Sequence, residues 1–118
     1  MSDQDLNSFS GLLAAAEAFR DERDWRQFHT LKNLAAAIAI EAAELQEVLL
    51  WSSEADEPCS ADLEGLRDEL ADILIHCANF ASLAGIDIAS ALKVKFEKNA
   101  AKYPPEKSKG SAAKYNTL

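Results

Sequence analysis

Leu34-Ala-Ala-Ala-Ile-Ala-Ile40 runs straight into Glu41-Ala-Ala-Glu44, and the reading of this stretch decides the fold. No position from 34 to 40 carries a polar side chain, and Ala, Leu and Glu all favour helix. A helix that is apolar all round has to be covered on more than one side. In a chain of 118 residues that calls for contact with another subunit as well as packing on the core. Glu41 and Glu44 then project from nearly one face of the same helix, because residues three apart are neighbours on a helix surface.

A second acidic pair follows downstream. In Glu69-Leu-Ala-Asp72-Ile-Leu-Ile-His76-Cys77-Ala-Asn79-Phe80 the polar residues Glu69, Asp72, His76 and Asn79 form a single stripe through otherwise apolar helix. A surface helix has no reason to confine its polar groups to one stripe among Leu and Ile unless that stripe lines a cavity. Taken alone, the ladder Glu41, Glu44 and Glu47 also reads as a solvated stripe, and His76 alone as a hydrogen-bonded core histidine. Burying even one uncompensated carboxylate costs several kcal/mol or forces it to neutralise. Four carboxylates that converge, Glu41, Glu44, Glu69 and Asp72, are most simply explained by a cation, and all-oxygen ligands suit a hard ion, Mg²⁺ or Mn²⁺.

The rest of the sequence agrees with an all-α fold. Four Gly and three Pro, against abundant Ala, Leu, Glu and Lys, leave little material for a sheet with many turns. Helical periodicity predicts a first helix over residues 5–22, a second from the cap Thr30 to about Trp51, a third over 61–84 capped by Ser60 or Asp62, and a fourth from the cap Asp87 to Lys102, halted by Pro104-Pro105. In the fourth, Ile88, Ala91, Leu92 and Phe96 are expected to make the buried side. Residues 52–60, with Glu54, Asp56, Glu57 and Pro58, read as a loop. The expected organisation is one domain, residues 1–104, followed by a flexible tail, 105–118.

A net charge of −8 argues against nucleic acid as a partner, since phosphate backbones call for a basic surface. A free mononucleotide is different, because a bound metal reverses the local charge. No apolar run is long enough to span a bilayer, and residues 1–7 lack the basic start and apolar core of a signal peptide, so neither a membrane partner nor export is expected. A cytoplasmic location follows, with Cys59 and Cys77 as ordinary thiols and a weak case for zinc. Trp25 stands in the charged link 21–26, either capping one end of the core or contacting a ligand.

The ordered set Glu22-Arg-Asp-Trp25, Phe28-His29, Glu41-x-x-Glu44, Trp51, Glu69-x-x-Asp72, Lys95-x-x-x-Asn99 and Tyr103-Pro104 resembles the MazG-like nucleotide pyrophosphohydrolases, in particular their dCTP pyrophosphatase branch. Isolated ExxE means little; the ordered set, from about Phe19 to Lys114-Tyr115, is far more specific. The resemblance implies a four-helix bundle-like MazG fold that oligomerises through its helices into a homodimer or homotetramer. It implies Mg²⁺ on the four acids and hydrolysis of a (deoxy)nucleoside triphosphate to the monophosphate and pyrophosphate. It also places Trp25 and Trp51 as walls of the base pocket and gives Lys95 and Asn99 contacts to phosphate or sugar.

Three positions depart from the family pattern. Ile40 stands where the fuller MazG motif has a further Glu, as in the dCTPase-like branch. Ala16 stands where eukaryotic dCTPases carry a base-contacting His, and His76 where they carry a Tyr one turn after the ExxD aspartate. The expected substrate is therefore dCTP or a related dNTP, with His76 available to contact it. Either Glu41 or Glu44 is the expected base that takes a proton from the attacking water. Two readings from other classes stand beside this one. A carboxylate-bridged redox or storage bundle would ordinarily show Glu-x-x-His pairs on two helices, and a purely structural interaction module leaves the buried acids unexplained.

Overall fold

The computed structural model describes residues 6–52 and 60–118 and, of residues 60 and 61, the backbone alone. The expected start of the first helix at Asp5, the loop residues Glu54, Asp56, Glu57 and Pro58, the Cys59 thiol and the capping side chain of Ser60 lie outside the described residues. Regular structure among the described residues is entirely helical, in the order α1 (Phe9–Glu22), a 3-10 turn (Arg26–Phe28), α2 (Leu31–Val48), α3 (Ser60–Ala84), α4 (Ile88–Lys102), α5 (Pro105–Ser108) and a 3-10 turn (Tyr115–Thr117). These fall into two compact units, residues 1–86 and 87–118. No single helix among the described residues is long and apolar enough to cross a membrane.

Side-chain caps set the helix starts. Ser8, Thr30 and Asp87 each accept a hydrogen bond from a backbone N–H three residues on, those of Gly11, Asn33 and Ser90, satisfying donors that the first turn leaves free. Thr30 and Asp87 are the caps that the sequence predicts. Helix α2 ends at Val48, three residues short of the expected Trp51, because Leu49 and Leu50 tighten into bonds to the carbonyls of Gln46 and Glu47. Gly85 closes α3 with φ +68, a conformation that glycine adopts without penalty.

In the first unit, α2 and α3 run antiparallel. Glu41 meets Glu69 and Asp72, whereas Val48, two turns further along α2, meets Gly65 on the earlier part of α3. A Cβ on Gly65 would lie 3.4 Å from both Val48 methyl groups, so the two helices touch at this point with room for little more than a methyl group. Helix α1 is tied to α3 by Ser82 Oγ, which donates to Glu17 Oε1 at 2.5 Å. The core consists of small or single side chains, Ala16, Leu34, Ala78 and Ala81. Leu34 faces inward at the start of the apolar run of α2, yet Ile40 at its end is 58% exposed, and Leu50 beyond it 59%.

The end of α1 fixes Trp25. The Asp24 N–H bonds to the Asp21 carbonyl and the Trp25 N–H reaches back to that of Arg20, the paired bonds of a Schellman motif. Asp24 occupies its left-handed position, φ 54, where Gly is usual, and Gln27 Nε2 steadies it by donating to both the Asp24 carbonyl and its carboxylate at 3.0 Å. The turn brings Trp25 edge-on to Phe19, ring centroids 5.8 Å apart.

The second unit holds α4, α5 and the terminal 3-10 turn. Tyr115 packs edge-on against Tyr103 at 6.1 Å, and Lys102 Nζ lies 4.8 Å from the Tyr115 ring, so the stretch expected to be a flexible tail is tied to the end of α4. Of the residues expected to form the buried side of α4, Ile88 is half-buried, but Ala91 and Leu92 are exposed and Phe96 is 70% exposed. The helical pattern is correct, but no described element of this unit covers its apolar side.

Candidate metal centre and adjoining cavity

The antiparallel pairing of α2 and α3 sets the acids of the two helices against each other. Carboxylate oxygens of Glu41, Glu69 and Asp72 all lie within 4.8 Å of one another, a spacing at which one cation can be held by all three. Glu41 Oε2 and Glu69 Oε2 are buried without a hydrogen-bond partner. Such atoms are costly unless something compensates them. Glu69 is pushed up to about 7, first by a hydrogen bond shared with Glu41, then by burial and by the neighbouring Glu44. For Glu41 the bond to Glu69 acts the other way and holds it down, but burial and the charges of Glu44 and Asp72 outweigh it and leave it raised. The two carboxyls are thus coupled, and both resist ionisation. Glu44 stands outside the group of three but acts on both.

One turn along α3 from Asp72, His76 places Nε2 3.7 Å from Glu41 Oε1, while its Nδ1 is buried and unpartnered. Asp72 and His76 also belong to the wall of a cavity of about 540 Å³, bounded by α1, the link after it and α3. Its lining is mostly apolar, with Phe19 and Trp25 on one side and Leu74 and Ile75 on the other. Trp25, 46% exposed, is therefore a cavity wall as well as a cap on Phe19.

The structure thus brings together Glu41, Glu44, Glu69, Asp72, His76 and Trp25. Trp51 follows α2, is 93% exposed and does not line the cavity. Lys95, exposed, and Asn99, half-buried, sit one turn apart on α4 in the second unit. Three further polar residues line the cavity, Arg20, His29 and Asn79, to none of which the sequence assigns a metal or substrate contact. His29 is held below its usual range by burial and by Arg20 and His76, and its Nδ1 is buried and unpartnered. The polar stripe of α3 already pointed to Asn79. Arg20 lies one turn from Ala16 on the same face of α1, but an arginine among charged residues ordinarily reads as solvated.

The profile of the MazG-like family matches residues 36–118, which contain both acid pairs. The chain belongs to the MazG-like family. Among relatives of this MazG-like chain are the dCTP pyrophosphatase 1 of Rattus norvegicus, 38% identical over 104 residues, and that of Homo sapiens, 32% identical over 104 residues. In both cases the match takes in 85% of this chain and 61% of the relative, so the chain spans about three-fifths of the length of these relatives. A crystal structure of a pyrophosphatase from Archaeoglobus fulgidus DSM 4304 superimposes with a TM-score of 0.71 at 41% identity, covering 80% of this chain and 91% of that one. The expected MazG-like helical fold is therefore the observed one.

Proposed function

We propose that this chain hydrolyses deoxynucleoside triphosphates, dCTP or a related dNTP, to the monophosphate and pyrophosphate, clearing the nucleotide pool. One observation carries the reading: Asp72 belongs both to the acid group and to the cavity wall. A nucleotide whose phosphates meet the acids can then lay its nucleoside in the cavity against Trp25. The likeness to dCTP pyrophosphatases supports both the reaction and the substrate class.

The donor set fits Mg²⁺ or Mn²⁺: three carboxylates, no sulfur, and two buried oxygens that lack any partner. A bound divalent ion supplies neutralisation for a substrate bearing about four negative charges and lowers the pKa of a water. Glu41, Glu69 and Asp72 would hold it. Of the two candidate bases, Glu44 is the one left outside that group, and we assign it to accept the proton of the attacking water. The water oxygen forms a bond to the α-phosphorus as the bond to the α–β bridging oxygen breaks, and pyrophosphate leaves. For Trp51 at the base, and Lys95 and Asn99 at phosphate or sugar, the assignment rests on family likeness. The exposed apolar face of α2 supports a homodimer or homotetramer, and the substrate pool supports a cytoplasmic location.

The test is phosphorus NMR of reactions with each dNTP and Mg²⁺. Monophosphate and pyrophosphate should appear together in equal amounts, and EDTA should stop the reaction. Release of orthophosphate, or no turnover of any nucleotide, would remove this reading.

A further inference from the structure

Two polar side chains of the cavity are more than nine-tenths buried, Arg20 on α1 and Asn79 on α3, each with 6% of its surface exposed. Neither takes part in holding the acids. The carboxylates acting on Arg20 are Asp21, which accepts from Nε at 2.8 Å, and Glu17, both on its own helix. Among the described residues its terminal nitrogens make no hydrogen bond, and Oδ1 of Asn79 is buried with no partner at all. An arginine that lines the cavity with its terminal donors unbonded, beside a buried amide oxygen with no partner, is an unfavourable way to finish an apolar wall. Both groups border an open space that Trp25 flanks, and both become satisfied if a flat polar ligand enters it.

The height of Asn79 above the acids says which part of a ligand it meets. It stands seven residues beyond Asp72 on α3, roughly 10 Å along the helix axis. That separation matches the length of a nucleoside monophosphate from its phosphorus to the far edge of its base. We propose that Arg20 and Asn79 form a subsite that reads the hydrogen-bonding edge of a nucleobase bearing a ring carbonyl. This rests on the nucleotide reading of the adjoining acids. Asn79 offers one donor and one acceptor, and its amide turns about χ2 at little cost, so alone it serves any base, adenine included. Arg20 decides between them. It can only donate, so it pairs with the carbonyl oxygen of cytosine, thymine, uracil, guanine or hypoxanthine and meets no carbonyl on adenine. Stacking on Trp25 holds the plane of the base without regard to its identity, whereas edge contacts from buried polar groups reject the base that leaves them unpaired.

The experiment compares dITP with dATP, which share a purine ring and differ in carrying a carbonyl and a ring N–H, or an amino group and a bare ring nitrogen. Wild-type kcat/KM should favour dITP by about tenfold or more. Arg20→Met, which keeps the apolar stem, should narrow that ratio, whereas Asn79→Leu should lower kcat/KM for dITP and dATP together and leave the ratio in place, with circular dichroism unchanged in both. Equal rates on dITP and dATP in the wild type would overturn the proposal without need of any variant. An unchanged ratio in folded Arg20→Met would also overturn it. The same ratios are read from equilibrium binding of deoxyinosine and deoxyadenosine, which needs no phosphate chemistry. Preferential deoxyinosine binding without triphosphate hydrolysis would sink the enzymatic reading and sustain this one. Hydrolysis with no preference between the bases would do the reverse.

Discussion

Glu69 governs how the metal-free protein responds to pH. Its carboxyl sits at about 7 in the fold, against an ordinary value of 4.5. Between those two values the folded chain keeps a proton that the unfolded chain has released, so folding stability falls as pH rises. The contribution is whole below about pH 4.5 and gone once pH has passed about 7. In EDTA the melting temperature should therefore drop from pH 5 to pH 8 more steeply in the wild type than in Glu69→Gln. Added Mg²⁺ should recover most of the loss at pH 8, where the deprotonated acids bind it. Equal slopes for the two proteins in EDTA would show that Glu69 does not keep its proton in the fold. Glu44→Gln is a sharper test of the chemistry: it should cut turnover at least roughly 10²-fold with the fold retained, and Asp72→Asn should also abolish turnover by weakening metal and cavity together. Wild-type rates under saturating Mg²⁺ in either variant would refute the assignment. At this scale the acids and His76 were legible because a polar stripe at helical spacing inside apolar sequence has to face a cavity or a cation to be tolerated. Arg20 was not, since nothing in its charged surroundings shows that α1 turns it toward α3.

The elements were read from their caps and their periods. Thr30 and Asp87 start α2 and α4 as the sequence predicts, because a side-chain oxygen at the cap satisfies the first-turn donors whatever the tertiary context. The close approach of α2 to α3 was not legible. Its contact point is Gly65 against Val48, and a lone glycine inside a helical pattern reads as a local weakness rather than a packing site. Since a Cβ there would meet the Val48 methyls at 3.4 Å, Gly65→Ala fits and should gain about 0.5–1 kcal/mol from helix propensity. Gly65→Leu should instead force α2 and α3 apart and lower both the melting temperature and the affinity for Mg²⁺, because Glu41 reaches Glu69 and Asp72 only across that contact. A Leu variant with unaltered Mg²⁺ titration by calorimetry would mean that the acids are positioned independently of the Gly65 crossing. Asp24 is a second device of this kind. In its left-handed position a β-branched residue should cost roughly 1–2 kcal/mol and displace Trp25, so Asp24→Val should raise KM for every nucleotide while Asp24→Gly leaves it near wild type.

For the whole molecule the deciding feature is apolar surface that no described element of the chain covers. Within α2 the run 34–40 turns Leu34 inward, but Ile40 is 58% exposed, and Leu50 and Trp51 beyond it are 59% and 93% exposed. Scattered apolar residues on a surface are ordinary, but a contiguous apolar helix face usually marks an interface. A second copy of the chain is the simplest cover, since closed symmetric assemblies are the common outcome for such faces. Light scattering at micromolar concentration should return at least twice the 12.9 kDa of one chain. Ile40→Arg, which puts a charge in the middle of that face, should shift the mass toward 12.9 kDa and lower the melting temperature, since dissociation leaves α2 wet on one side. Trp51→Ala separates assembly from substrate binding. If Trp51 only covers the interface, the variant should bind nucleotide normally once concentrated enough to reassociate; if it walls the base pocket, KM should rise for all dNTPs at every protein concentration. A wild-type monomer under these conditions would remove the oligomer and leave the apolar face of α2 without a reason.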